Sequence, residues 1–142
     1  MKPIRLAITA FVSVLICVSI LPSLGANLDS GTLIDIVVAI FIFLLGNFLP
    51  TVKPNYFVGI RTPWALENPE NWRVTHIFGG RLWMIASVVY LILIFLLPAS
   101  AHGAVFLTYL GIIILPPYIY SYILFQKGKR ATNDRSKEKA LS

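Results

Sequence analysis

The sequence predicts an all-α fold: an integral membrane bundle of four transmembrane helices, with an ordered cytoplasmic loop between helices 2 and 3. Three observations predict it. Of 142 residues, 57% are hydrophobic and only 13% charged, and mean hydropathy is +0.79, whereas a soluble domain carries about twice that share of charge. Four apolar runs stand out, at 6–24, 33–50, 82–97 and 104–125. All 12 basic residues fall on alternate sides of a four-span topology.

The runs at 6–24, 33–50 and 104–125 match the roughly 20 residues that a spanning helix needs. The run at 82–97 is short, and Ile77, Phe78, Gly79 and Gly80 extend it backwards. The segments are apolar on all sides, and helices satisfy the backbone without water. Their continuity does not fit the alternation of a membrane β-barrel. The start MKPIRLAITAFVSVLICVSILPSLGA, with small residues Ser23, Gly25 and Ala26, also has the form of a signal peptide. Its apolar stretch is long for that role, and a retained helix is the expectation. Cys17 excludes an internal disulfide, being the single cysteine, and is expected as a buried, inert thiol.

Charge sets the orientation. Lys2 and Arg5 precede the first run; Lys53, Arg61, Arg73 and Arg81 lie between the second and third; Lys127, Lys129, Arg130, Arg135, Lys137 and Lys139 follow the fourth. Segments 25–32 and 98–103 hold no basic residue. Positive residues mark the cytoplasmic side, so both termini and the middle loop are expected there. The net charge of +6 then belongs to the membrane surface and gives no sign of direct nucleic-acid binding. Residues 1–125 read as the transmembrane domain and 126–142 as a basic cytoplasmic tail, loosely ordered and drawn to anionic membrane lipids.

Asp35 is close enough to the outer interface to be solvated, and His102 reads as an exposed turn residue. Pro116 and Pro117 remove backbone donors and are expected to kink the fourth helix. The tyrosines of 118–122 suit the inner interface.

The middle segment 51–80 is long for a connection, and such loops are functional or disordered. Its aromatics, with Pro50, Pro54, Pro63 and Pro69, argue for order. Thr62-Pro63 reads as an N-cap followed by proline at the first helical position, and Asn68-Pro69-Glu70 repeats that start. Trp72 and His76, four apart, share one helix face. Gly79 and Gly80 mark either a bend or a close helix contact. This face is expected to rest on the GIRTPW element (59–64), with Arg61 held beneath it as a fixed cation. Arg61 and Lys53 suit a phosphate, a carboxylate or a partner's acidic group; ordinary anchoring with Glu67 or Glu70 is the other reading, preferred for Lys53. Asn47, Asn55 and Thr75 are expected to cap or cross-link the loop, and Trp64 and Trp72 to pack and anchor. A lone His76 without a second ligand at metal spacing does not make a zinc site.

The stretches NFLPTVKPNYFVGIRTPWAL (47–66) and NWRVTHIFGG (71–80) resemble the signature of the SdpI family, small bacterial membrane proteins named for immunity to a secreted sporulation-delaying toxin. The residues carrying the resemblance are Asn47, Pro50, Lys53, Pro54, Asn55, Gly59, Arg61, Thr62, Pro63, Trp64, Trp72, Thr75, His76 and Gly80. Family members often have a basic residue after the Thr-His pair, where this chain has Ile77. The family's namesake is longer, with additional membrane segments ahead of this region, so the resemblance covers the core module. It implies a protein of the bacterial cell membrane that intercepts a toxic peptide or protein, with a link to a cytoplasmic transcription regulator. The alternative is a small transporter or membrane-embedded enzyme acting through 51–80. Against an enzyme stands the lack of a nucleophile–base pattern, phosphate loop or metal-ligand cluster; against a carrier, the near absence of charge from the runs. No cofactor is expected.

Overall fold

The computed structural model describes residues 2–20, 30–54 and 59–141. It is all-helical: α1 (Lys2–Ile20), α2 (Ser30–Phe48), a 3-10 turn (Leu49–Thr51), α3 (Pro63–Glu67), α4 (Pro69–Leu96) and α5 (Ala99–Leu141). Three helical stretches are long and apolar enough to cross a membrane: Gly31–Thr51, Pro69–Leu96 and Ala99–Asn133. In α1 the apolar stretch is shorter, Ile8–Ile20. The candidate cleavage residues Ser23, Gly25 and Ala26 lie outside the described residues, as does Asn55.

Helix α4 packs against α2 on one side and α5 on the other. The core they share is Ala39, Tyr90, Ile94, Tyr109 and Ile113. Outward, the same helices expose Ile85, Phe95, Leu96, Leu107 and Leu115. A bundle that is apolar both within and without has lipid as its solvent. Helix α1 leans on α2 through the stacked rings of Phe11 and Phe41, 3.8 Å apart. Cys17 is exposed on α1, contrary to the buried thiol expected, because α1 has a neighbour on one side while its remaining surface stays open.

Gly79 and Gly80 sit inside α4, which continues through them, and permit close approach. A Cβ on Gly80 would meet the Gly46 carbonyl and the Pro50 ring, and one on Gly46 would meet the Gly80 carbonyl at 2.8 Å. The two backbones therefore touch where α2 ends, which is what small residues in membrane helices allow.

Because nothing breaks the helix, α4 runs 28 residues from its cap, about 42 Å. That exceeds a hydrocarbon thickness of about 30 Å, so its first turns project beyond the apolar layer. Residues 52–68, α3 included, connect the long helical stretches, and the projecting first turns of α4 belong with them outside the apolar layer. Helix α5 is 43 residues long, so the tail continues the last span as helix instead of the loose segment expected. Its Lys, Arg, Glu, Gln and Ala are good helix formers, and no proline follows Pro117.

The Pro116-Pro117 pair does not interrupt α5. Pro117 is fully buried and cannot donate to the carbonyl four residues back. Trp83 supplies the missing donor: its Nε1–H reaches the Ile113 carbonyl at 2.8 Å. A bond from the neighbouring helix thus satisfies the carbonyl that the proline leaves free.

Candidate functional site: the clamped segment beneath α4

Two sets of hydrogen bonds fasten the segment between spans to the helices. The first begins at the caps. Thr62 ends an extended stretch, and its Oγ1 accepts from the Ala65 N–H at 3.1 Å, with Pro63 in the first turn of α3. Asn68 closes α3 and opens α4, its Oδ1 accepting from Glu70 N–H at 2.9 Å and Asn71 N–H at 3.3 Å. Helix α4 thus leaves the segment at a fixed angle, and its first face carries Asn71, Trp72, Thr75 and His76, all buried.

Trp72 and His76 form one wall. Their rings stack at 4.1 Å. Trp72 Nε1–H donates to the Val52 carbonyl at 2.8 Å, holding the chain that follows the 3-10 turn. The Ile60 N–H donates to His76 Nε2 at 3.0 Å. That nitrogen therefore carries no proton, and Nδ1–H donates to the Trp72 carbonyl at 2.8 Å. Both bonds together require a neutral ring, the Nδ1–H tautomer. Gly59 makes room for the arrangement. Its φ is +120°, and a Cβ there would collide with His76 Nε2 and press on the Trp72 ring. That backbone region is essentially closed to other residues.

The second set is a closed polar network of Thr62, Asn71, Thr75 and Ser121, each at most 5% exposed. Ser121 Oγ–H donates to Asn71 Oδ1 at 2.9 Å, so the Thr62 hydroxyl is the donor in its 2.6 Å contact with Ser121. Thr75 also donates to Asn71 Oδ1 at 2.9 Å, and Asn71 Nδ2 donates to the Ser121 carbonyl at 3.0 Å. Every hydroxyl hydrogen has an acceptor, the condition under which a buried network rigidifies and does not destabilise. It joins the entry to α3, the start of α4 and the middle of α5. Trp64 covers the junction, lying edge-on to Tyr118 at 5.2 Å and Tyr122 at 4.9 Å.

A model of the SdpI/YfhL protein family matches residues 51–121, half of the 142-residue chain. The chain belongs to this family. Immunity protein SdpI of Bacillus subtilis (strain 168) is 27% identical over 77 residues, which is 54% of this chain and 37% of that relative. The chain therefore aligns with little more than a third of the relative's length. No solved structure matches it. The matched stretch opens at the 3-10 turn and closes at Ser121, so the SdpI/YfhL segment contains both clamps.

Of the signature residues, Gly59, Thr62, Trp72, Thr75 and His76 come together in the clamps, with Pro63 and Trp64 beside them. Pro50 and Gly80 form the adjoining α2–α4 contact. Asn47 is exposed on α2, and Lys53, Pro54 and Arg61 are exposed on the segment. The Trp72–His76 face does rest on the segment at Gly59 and Ile60, whereas Arg61 lies at the surface and not beneath it, since the backbone of Ile60 occupies the place against the imidazole. The bonded partner of Glu70 is Arg73, at 2.7 Å, on the exposed face of α4, a pair worth little to stability. Sequence reasoning missed Asn71 and Ser121. The available signals were a serine inside an apolar tyrosine-rich turn and an asparagine four residues before Thr75.

Proposed function

We propose that this chain is a four-span bacterial membrane protein of the immunity type, protecting the cell that carries it against a toxic peptide or protein. Both termini and the clamped segment face the cytoplasm, where the basic residues gather. The observation that carries the reading is the family match over 51–121, supported by the relative named an immunity protein. The clamps fit a recognition role: they fasten residues 59–62 to α4 and α5, and such fastening lowers the ordering cost of binding. Arg61, exposed on that held segment, is the cation offered to an acidic group of the toxin or of a cytoplasmic transcription regulator, and the two glycine-lined backbones carry an event in the bundle to it.

The test is a sensitive bacterial strain with and without the gene, challenged with a panel of secreted bacterial peptides and proteins. Expression should raise survival against at least one of them. Arg61→Ala should lower that protection at unchanged membrane level. Equal survival of both strains across the panel overturns the immunity reading. Full protection by Arg61→Ala overturns the role given to Arg61.

A further inference from the structure

At the end of the bundle away from the clamped segment, three helix ends meet: the start of α2, the end of α4 and the start of α5. Asp35 is the one acidic residue inside the apolar runs. It was expected to be solvated, and His102 to be an exposed turn residue. Instead, the His102 side chain is 14% exposed and that of Asp35 16%, with Nδ1 3.5 Å from Asp35 Oδ2. The two meet because His102 lies in the first turns of α5, which α4 places against α2.

The bonding of the ring is informative. His102 Nε2 faces the Ile94 carbonyl at 3.2 Å and the Leu97 carbonyl at 3.3 Å. Both are acceptors, so Nε2 bears a hydrogen. With that hydrogen alone, Nδ1 presents a lone pair to a carboxylate oxygen, which is repulsive. A second hydrogen, on Nδ1, turns the same contact into an ion pair. The carbonyls at the end of α4 are also the negative end of its dipole and favour a cation. An independent observation completes the site. The Tyr90 hydroxyl is buried with no well-formed hydrogen bond among the described residues, and it faces the Asp35 carboxylate closely enough for a loose hydrogen-bonding and coulombic interaction. The other titratable groups near the pair are Tyr90 from α4 and, behind it, Tyr109 from α5, stacked on Tyr90 at 4.4 Å and bonded to Ser87 at 2.8 Å.

We propose that Asp35 and His102 form a proton-binding site that clasps α2 to the α4–α5 hairpin, with the Tyr90 hydroxyl as the carboxylate's alternative partner when the proton leaves. The proton is taken from water at that face by imidazole Nδ1 and returned to it. Uptake closes the helix ends; release turns the contact repulsive, Asp35 swings to Tyr90, and the ends part. In the proposed orientation this face is the outer one, so the clasp reports external acidity. The proposal does not depend on the immunity reading, and its readout is a distance.

The experiment uses the full chain carrying Cys17→Ser, with spin labels on cysteines placed at the exposed positions Gly31 and Gly103, in lipid vesicles. Pulsed electron paramagnetic resonance follows the distance from about pH 5 to about pH 9. The wild-type pair should shorten on acidification in a one-proton transition. Asp35→Asn should stay closed throughout, because its amide donates to a neutral Nδ1; His102→Gln should do the same by donating to Asp35. Tyr90→Phe removes the alternative partner, so closure should need roughly tenfold less proton, about one hydrogen bond's worth. A wild-type distance independent of pH overturns the proposal, as does a transition that survives both Asp35→Asn and His102→Gln.

Discussion

Replacing Ser121 by alanine removes the hydroxyl at the centre of the buried network. It accepts from Thr62 and donates to Asn71. Asn71 Oδ1 keeps the bond from Thr75, but the Thr62 hydroxyl is left buried without an acceptor. Two net hydrogen bonds at about 1 kcal/mol each, with the penalty for the orphaned donor, give a loss of about 2–3 kcal/mol. Thr62→Val deletes the donor and also the α3 cap, a further loss of about 1 kcal/mol. The Thr62–Ser121 bond is broken by either single change, so the double variant should cost less than the sum by about 1 kcal/mol. The assay is reversible unfolding in mixed micelles with increasing dodecyl sulfate, followed by tryptophan fluorescence. If Ser121→Ala lies within about 0.5 kcal/mol of the parent, below the typical worth of one such bond, and the two changes add, the network does not fasten the segment to α5.

Gly59→Ala forces a Cβ onto His76 at a φ of +120°, a strain of about 1–3 kcal/mol; tryptic cleavage at Arg61 in inverted vesicles should accelerate by roughly tenfold or more. Trp83→Phe leaves the Ile113 carbonyl without its donor and should cost about 1–2 kcal/mol. The same change in a Pro117→Ala background should cost less, because the alanine N–H then serves that carbonyl. The Ile60–His76 bond requires a neutral ring, so the released segment can bind a proton that the clamped one cannot. Stability of the clamp is complete where the ring is neutral in both states and falls as pH falls; cleavage at Arg61 should quicken on acidification, and His76→Gln should remove that dependence.

Local signals in the chain foretold local structure. The Thr62-Pro63 and Asn68-Pro69 pairs start helices because a side-chain acceptor and a proline with no N–H to satisfy act within a few residues. Trp72 and His76 share a face for the same short-range reason. Partnerships between distant segments were hidden. Asn71 and Ser121 are 50 residues apart and mean nothing singly. The donor that serves the carbonyl freed by Pro117 could not be read from the sequence, because Trp83 lies on another helix. Asp35 and His102 were assigned to solvent because each sits near a span end, and only helix packing brings them within 3.5 Å. Arg61 was misplaced by the opposite error: a cation between glycine and proline suggested burial, yet the backbone of Ile60 takes the inner position.

The central claim is that the segment between the spans is fastened to α5 through Thr62 and Ser121, whose oxygens are 2.6 Å apart. A Cys17→Ser chain carrying Thr62→Cys and Ser121→Cys, oxidised in native membranes, tests it directly. The account predicts rapid and near-complete intramolecular disulfide formation, seen as a mobility shift after cleavage between the two positions. Free thiols at both positions after oxidation, with the protein inserted at normal level, would contradict it.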